Sequence, residues 1–412
     1  MYTDCIILGG GAAGLAACAV LAEKGLHVTL VERLDRVGKK LLSTGNGRCN
    51  LSNEDMNPAY YGEAASFVSK VYEKTPPEEV LAFFERLGLM LAREDGRIYP
   101  RTMAAASVLD VLRNAIGRDS VTLMTSEKAV SLTPSRRGGW SVALESGEGL
   151  FAPVVLCAMG GTAAPAMGTD GSGLALLGAL GHTATPTYPA LVQLKCDHRA
   201  LKSLKGVRVQ AALALEIDGR IAASETGELL FADYGVSGVC VFQLSRHVAK
   251  AIESKRTVRL HVNLLPEVAH SDLPEGLENR IRLFTDSTAD KLFTGVFHRL
   301  LAQALLRESG IPLDMPIHRI NASQKDALLQ SIARFTLPVT GTQGFAQAQV
   351  TRGGIALDDI DPETMASRLY DGLYILGETL DVDGPCGGYN LHFAFAGALT
   401  ASKAVCAQLL PE

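Results

Sequence analysis

The sequence predicts an α/β fold in which both ends of the chain build one domain and a middle stretch of mixed β/α texture is inserted into it. Three observations carry this. Residues 4–32 read as strand, tight turn, helix, strand and acid. A second buried strand, Val154 to Ala158, runs into Gly160 and Gly161. A third, at 372–377, ends on Gly377 and Glu378 and leads into a last helix.

The first of these is the most informative. Cys5 to Leu8 is apolar and short, which suits a buried strand and not a helix. Gly9, Gly11 and Gly14 then fall in the spacing G-x-G-x-x-G. Gly9 permits the turn, Gly11 lets backbone approach a pyrophosphate, and Gly14 lets helix and strand pack closely. A helix from about Ala13 to Lys24 points its free N–H groups at that phosphate, and Gly25 stops it. Val28 to Val31 makes the next strand and Glu32 ends it, where a carboxylate accepts hydrogen bonds from ribose hydroxyls. Together these features predict an adenine dinucleotide. The competing reading of this apolar N-terminal run is a signal peptide or membrane anchor. Asp4, the lack of a basic region before it and three consecutive glycines argue against that.

A chain of 412 residues has room for two domains, and 47% apolar with 20% charged residues is ordinary for a globular protein. The net charge of −5 advertises no basic surface for nucleic acid. Eight cysteines form no C-x-x-C, and His247, His261, His270, His298 and His318 lack metal spacing, so no metal is expected. Reduced thiols in a cytoplasmic protein without membrane insertion are the expectation.

After Glu32 comes a polar, glycine-broken loop. Arg33, Lys39, Lys40 and Arg48 bring positive charge toward a pyrophosphate, and Gly45 and Gly47 bracket Asn46 so that backbone N–H groups face a cofactor ring. Cys49 is a candidate thiol, with simple packing as the competing reading. Helices are predicted over Glu78–Gly88 and Met103–Arg118, with a hairpin near residues 94–97 between them. Residues 121–151 alternate in the period-2 manner of a small meander, with turns at 136–139 and 145–147. In it Ala129 and Val130 are placed to touch adenine through their backbone. A helix from Asp170-Gly-Ser-Gly173 to Leu180 follows the Gly160 turn.

Thr185-Pro-Thr-Tyr-Pro189 reads as a hinge. Beyond it, strand-like segments (191–195, 207–217, 228–231) precede helix-like ones (241–254, 277–307, 323–335). The domain expectation is therefore 1–187 with 341–412, and an inserted unit at 188–340. At the end of the chain, residues 348–354 make a strand and turn. Gly377, Glu378 and Asp381 follow the third strand, and Gly387-Gly388-Tyr389-Asn390-Leu391 opens the last helix, a second site for an anion or ring.

Four stretches now resemble a known family of FAD enzymes, one that includes bile-acid pathway reductases, ribosomal-RNA dihydrouridine synthases and aminoacetone-oxidase-like flavoproteins. They are Gly9 to Gly14, Gly38 to Asn50, Val350-Thr-Arg-Gly-Gly354, and Gly377 to Asn390. The resemblance runs the whole length. It implies a Rossmann-like FAD-binding domain of the glutathione-reductase type and an inserted mixed β/α cap domain. Where the family usually shows Gln-Trp after Gly-Gly-Tyr-Asn-Leu, this chain has His392 and Phe393; its usual middle His and Pro are Asp233 and Val239 here.

The expected cofactor-binding set is Gly9, Gly11, Ala12, Ala13, Gly14, Glu32, Arg33, Lys39, Lys40, Gly45, Asn46, Arg48, Cys49, Asn50, Val130, Gly160, Gly377, Glu378, Asp381, Gly387, Gly388, Tyr389, Asn390 and Leu391. No catalytic residue is assigned; Tyr234, Tyr389 and Cys49 are candidates for a proton donor. The expected activity is hydride delivery from reduced FAD to the conjugated C=C of a small hydrophobic enone, such as an unsaturated 3-oxo bile acid. With only one dinucleotide fingerprint, NAD(P)H is expected as a transient donor. Alternatives are reduction of uridine in ribosomal RNA, using a basic face of Lys202, Lys205, Arg208, Arg246 and Lys250, amine oxidation, or a non-catalytic flavoprotein.

Overall fold

The computed structural model describes residues 3–136 and 138–410, and the chain divides into two compact units, Met1–Pro189 with Ala348–Glu412, and Ala190–Gln347. The crossings lie at 189/190 and 347/348, against the 187/188 and 340/341 read from sequence. The second differs because the strand Phe335–Thr342 continues the inserted unit beyond residue 340, and Gln343 N–H still bonds Gln193 O at 3.0 Å.

The first unit is built on a five-stranded sheet with the order Leu373–Ile375, Val154–Cys157, Cys5–Leu8, Val28–Glu32, Val121–Thr125. All four pairings are parallel, with Cys5 opposite both Val154 and Val28. The three central strands are buried at every position, which is why they read as unbroken apolar runs. Strand Val121–Thr125 is the sheet's edge and not part of the meander expected from its alternation. The meander itself is Ala129–Pro134, Trp140–Leu144 and Gly149–Ala152, antiparallel and anchored by a buried Trp140. Of its turn at 136–139, residue 137 lies outside the described residues.

The first helix is Ala12–Glu23 and the last is Tyr389–Leu409, and the two pack against each other. Both are rich in alanine and glycine and buried on most sides, so small side chains let them approach closely. Thus the two ends of the chain meet in one core. The helices near 78 and 105 run Pro77–Arg86 and Ala105–Ile116; the second starts late because Met103 takes a φ of 52°, and it stops at Gly117. A short sheet pairs Ser52–Asn53 with Arg97–Pro100 and that with Leu91–Glu94.

The second unit is a closed antiparallel barrel with its own apolar core. Its order is Leu194–Cys196, Gly235–Ser237, Arg220–Ala232, Arg208–Ile217, Val258–Asn263 and Phe335–Thr342, which closes on the first. The helix expected over 241–254 is two, Val239–Ser245 and Val248–Glu253. That over 277–307 is also two, Leu273–Leu283 and Arg299–Glu308, the second started by the His298 side chain accepting from Leu300 N–H at 3.2 Å. Among the described residues no helix is long and apolar enough to cross a membrane.

Candidate cofactor site

Gly9, Glu32, Gly160 and Gly377 lie at the carboxyl ends of four adjacent strands, where open α/β sheets hold their ligands. Strand Cys5–Leu8 exits into Gly9 at φ 104°, and a Cβ there would lie 2.4 Å from Ala158 O. A Cβ on Gly14 would lie 1.9 Å from Gly9 O, so helix and turn touch backbone to backbone. Gly11 differs: a Cβ there would meet nothing within 4 Å. It caps the first helix with no side-chain hydrogen bond, and the first turn, Ala12 and Ala13 included, carries no acid. No side chain caps this end and a Cβ at Gly11 would meet open space, an arrangement that fits a pyrophosphate.

Glu32 is fixed by two backbone donors, Gly10 N–H to Oε2 at 2.9 Å and Leu34 N–H to Oε1 at 2.8 Å. Each oxygen keeps a further lone pair, so a buried but oriented carboxylate remains able to accept from ribose. Arg33 is engaged by a carboxylate. It pairs with Asp170, which Lys128 also approaches at 3.3 Å. Burial opposes charge on Asp170, but hydrogen bonds from Ser172, Lys128 and Arg33 overcome it and hold the carboxyl well below its usual range.

The loop after it divides its charges. Lys39 and Lys40 open a one-turn helix, Lys39–Ser43, behind Gly38. Lys40 Nζ donates to Glu378 Oε2 at 2.7 Å. Arg48 bonds Glu94, lies 4.5 Å over the Tyr99 ring and donates to Met103 Sδ, so its charge is directed to the 91–103 segment and not to the glycine turn. Gly45 and Asn46 take consecutive left-handed conformations, φ 56° and 54°, and stand exposed. Asn50 Oδ1 is buried without a partner, a polar atom that suits a bound ligand. Cys49 is fully buried and burial pushes its thiol up to about 11, so it packs as a small apolar group.

Val130 is exposed, and the ladder register shifts between Ala129 and Ser131, leaving its backbone outside the pairing. Gly160, at φ 73°, donates its N–H to Thr379 Oγ1 at 3.1 Å. Gly377 sits against the first helix; a Cβ there would be 3.2 Å from Ala13 Cβ. Asp381 Oδ2 accepts from Thr185 Oγ1 at 2.8 Å and so ties down the loop instead of facing outward.

At the last helix, Gly388 takes φ 99° and a Cβ there would be 2.4 Å from Ser52 O. Asn53 Nδ2 donates to Gly387 O at 2.9 Å. Asn390 turns inward, accepting from Gly384 N–H at 2.8 Å and donating to Gly384 O at 2.9 Å. It shapes the loop and its side chain is spent there. Tyr389 is buried against Tyr60 and Tyr61, the latter also meeting Tyr72, and burial pushes the Tyr389 phenol up to about 12; Leu391 is half-buried.

Sequence reasoning missed four residues of this region. Thr351 joins the strand ends, as taken up below. Thr162 has a buried, unpartnered hydroxyl. Ser52 Oγ meets His392 Nδ1 at 2.8 Å; the imidazole is fully buried, and burial holds it down to about 3. Lone Ser and Thr residues do not announce their contacts in sequence; the His392-Phe393 departure and the Val350–Gly354 block marked two of the four without giving either a role. Among the described residues no three His, Cys, Asp or Glu cluster to hold a metal. A groove of about 600 Å³ lies on the barrel, lined by Ala212, Ala214, Glu225, His261 and Arg334 among others, and contains none of the expected site residues.

Residues 3–404 match the family described as HI0933-like protein Rossmann domain. The chain is 38% identical over 401 residues, 97% of its length and 98% of the relative's, to a 3-dehydro-bile acid delta(4,6)-reductase of Clostridium scindens. It is 26% identical over 411 residues, 97% of each chain, to a ribosomal RNA dihydrouridine synthase of Escherichia coli. In fold it is similar to quinol fumarate reductase of E. coli, with TM-score 0.50 and 13% identity over 100% of this chain and 71% of that one. Since the family match takes in both chain ends and the insertion between them, this chain belongs to the HI0933-like Rossmann family.

Proposed function

We propose that this chain is an FAD-dependent reductase acting on the conjugated C=C of an enone, with an unsaturated 3-oxo bile acid or steroid as the substrate class. The observation that carries the reading is the 38% identity to a 3-dehydro-bile acid delta(4,6)-reductase over nearly the full length of both chains. FAD, when bound, supplies the hydride; the protein supplies binding, orientation and proton management. The Gly11 turn and the first-helix N–H groups would hold the pyrophosphate, Glu32 would accept from the ribose, and the 387–391 turn would offer the positive end of the last helix to the ring. Lys40 and Glu378 neutralise each other.

A general acid works best with a pKa near the operating pH. Burial raises the Cys49 thiol to about 11, the Tyr389 phenol to about 12 and the Tyr234 phenol as well, so all three keep their protons at neutral pH. In this reading an acid or water protonates the α-carbon. NAD(P)H serves as a transient donor, to be tested by anaerobic flavin reduction with NADH and with NADPH.

The second reading, uridine reduction in ribosomal RNA, is favoured by the E. coli relative. Against it, Lys205 and Arg208 of the expected basic face are paired with Asp233 and Glu228. Stopped-flow reoxidation of the photoreduced protein separates the two. Rapid reoxidation by a 3-oxo-Δ4 steroid and none by unmodified ribosomal RNA is expected; the reverse selects the RNA reading.

A further inference from the structure

Four of the segments discussed above meet at one hydroxyl. Thr351 is almost wholly buried, and its Oγ1 accepts from Thr162 N–H at 2.8 Å and from Ala163 N–H at 2.9 Å. The same oxygen donates to Glu378 Oε1 at 2.7 Å. That oxygen of Glu378 also accepts Thr351 N–H at 2.8 Å, while Oε2 takes Lys40. A hydroxyl has one proton and two lone pairs, so Thr351 is saturated. Gly161 is glycine for the same reason, since a Cβ there would lie 2.4 Å from Thr351 Oγ1.

This holds the backbone of Thr162 rigidly, yet its own Oγ1 is buried and has no partner. Native structures rarely leave such a group unsatisfied without a ligand or water to complete it. Thr162 follows the strand Val154–Cys157, the sheet neighbour of Cys5–Leu8, and Gly9 lies in backbone contact with Ala158. Thr162 therefore lies in the turn that leaves the strand beside the glycine turn, with its methyl toward Gly171, where a Cβ would lie 2.9 Å from it.

We propose that Thr162 is a cofactor-binding residue whose hydroxyl hydrogen-bonds the bound FAD, and that Thr351 is the positioning residue that holds it there. The proposal rests on the flavin reading above. It gives the Val350–Gly354 block a purpose that its sequence does not state: Thr351 locks the 160–163 turn to Glu378 and, through Glu378, to Lys40.

The test is titration of the full-length apoprotein with FAD, followed by flavin fluorescence, alongside apoprotein melting. Thr162→Val weakens FAD binding by roughly five- to tenfold, the usual size for one lost hydrogen bond in a buried site. Its apoprotein melts as the wild type does, and Thr162→Ser binds as the wild type. Thr351→Val weakens binding at least as much, Thr351→Ser restores it, and the double valine variant binds within about twofold of Thr351→Val, because coupled residues are not additive. Wild-type affinity in Thr162→Val overturns the proposal while leaving the flavin reading intact. So does equal, additive loss in the double variant. A wild-type protein that binds no FAD overturns both.

Discussion

At residues 9–14 the glycine that matters most answers to its own neighbourhood: Gly14 has no Cβ because Gly9 O, five residues back, occupies the space. At residues 387–390 the demand comes from far along the chain. Gly388 has no Cβ because Ser52 O is there, and Ser52 and Asn53 hold the turn through His392 and Gly387, 340 and 334 residues away. The first turn is built to be open, with Gly11 facing space; the second is clamped by side chains. Both end at a helix N-terminus. The difference teaches how such a site is divided: one half is preformed by local backbone geometry, the other depends on tertiary contact.

The comparison is broken most severely at Gly14. Gly14→Ala forces a methyl into a backbone carbonyl at 1.9 Å. Neither atom is a flexible side chain, so a loss of about 3 kcal/mol or more is expected, read as a large drop in melting temperature with or without FAD. Gly388→Ala comes next. It adds a clash at 2.4 Å to a φ of 99°, and roughly 2 kcal/mol is expected. If the second turn truly depends on the clamp, an accompanying Ser52→Gly does not rescue it, because the obstructing atom is backbone. Gly11→Ala sharpens the contrast. Its φ of −83° suits alanine and nothing lies within 4 Å, so the apoprotein melts unchanged. FAD affinity falls by about tenfold or more, since the methyl takes the space a pyrophosphate needs. Equal loss of apoprotein stability would show the turn to be merely packed.

The same division explains what was legible in the sequence. Cys5 to Glu32 was readable almost to the residue, the helix Ala12–Glu23 lying one residue earlier than expected, because strand, turn and helix are fixed by neighbours. Glu32, Gly11 and the glycines at 387 and 388 were legible as types at a spacing. What each touches was not: Lys40 reaching Glu378 and Asn390 folding back on Gly384 depend on chain brought from elsewhere. The barrel was least legible. Val258–Asn263 was not read as a strand, and Phe335–Thr342 carries Pro338, which argues against a strand in sequence terms. Of Arg220–Ala232 only the last residues were read, because its outer half alternates polar and small residues, exposed or half-buried, without a clear apolar face. Val121–Thr125 pairs with Val28–Glu32, from more than eighty residues earlier, so local alternation assigned it to the wrong sheet.

His392 tests the clamp by pH. Burial holds its imidazole at about 3, against the ordinary 6.5 it regains on unfolding. The folded state thus binds the proton more weakly than the unfolded state. The contribution is fully favourable above pH 6.5 and is lost as the pH falls toward 3, by about 1.4 kcal/mol per pH unit. Chemical denaturation of wild type and His392→Gln between pH 7 and 4 measures it. The wild type is expected to lose more stability across that range than the variant; parallel curves would mean the ring titrates normally and the 387–392 clamp is loose.

The smallest effect is expected at Arg48, which sits on neither turn. Its guanidinium is engaged with Glu94 and the Tyr99 ring, with both charged side chains well exposed. Exposed pairs of this kind contribute about 0–1 kcal/mol. Arg48→Ala should therefore lower stability by less than about 1 kcal/mol, with FAD affinity within roughly threefold of wild type. Its position in the Gly45–Asn50 loop nonetheless makes it the residue most able to alter the division drawn here. If Arg48→Ala weakens FAD strongly while Glu94→Ala tightens it, the guanidinium exchanges one anion for another on binding. The loop would then belong with the clamped half of the site and not with the exposed Gly45–Asn46 turn it carries.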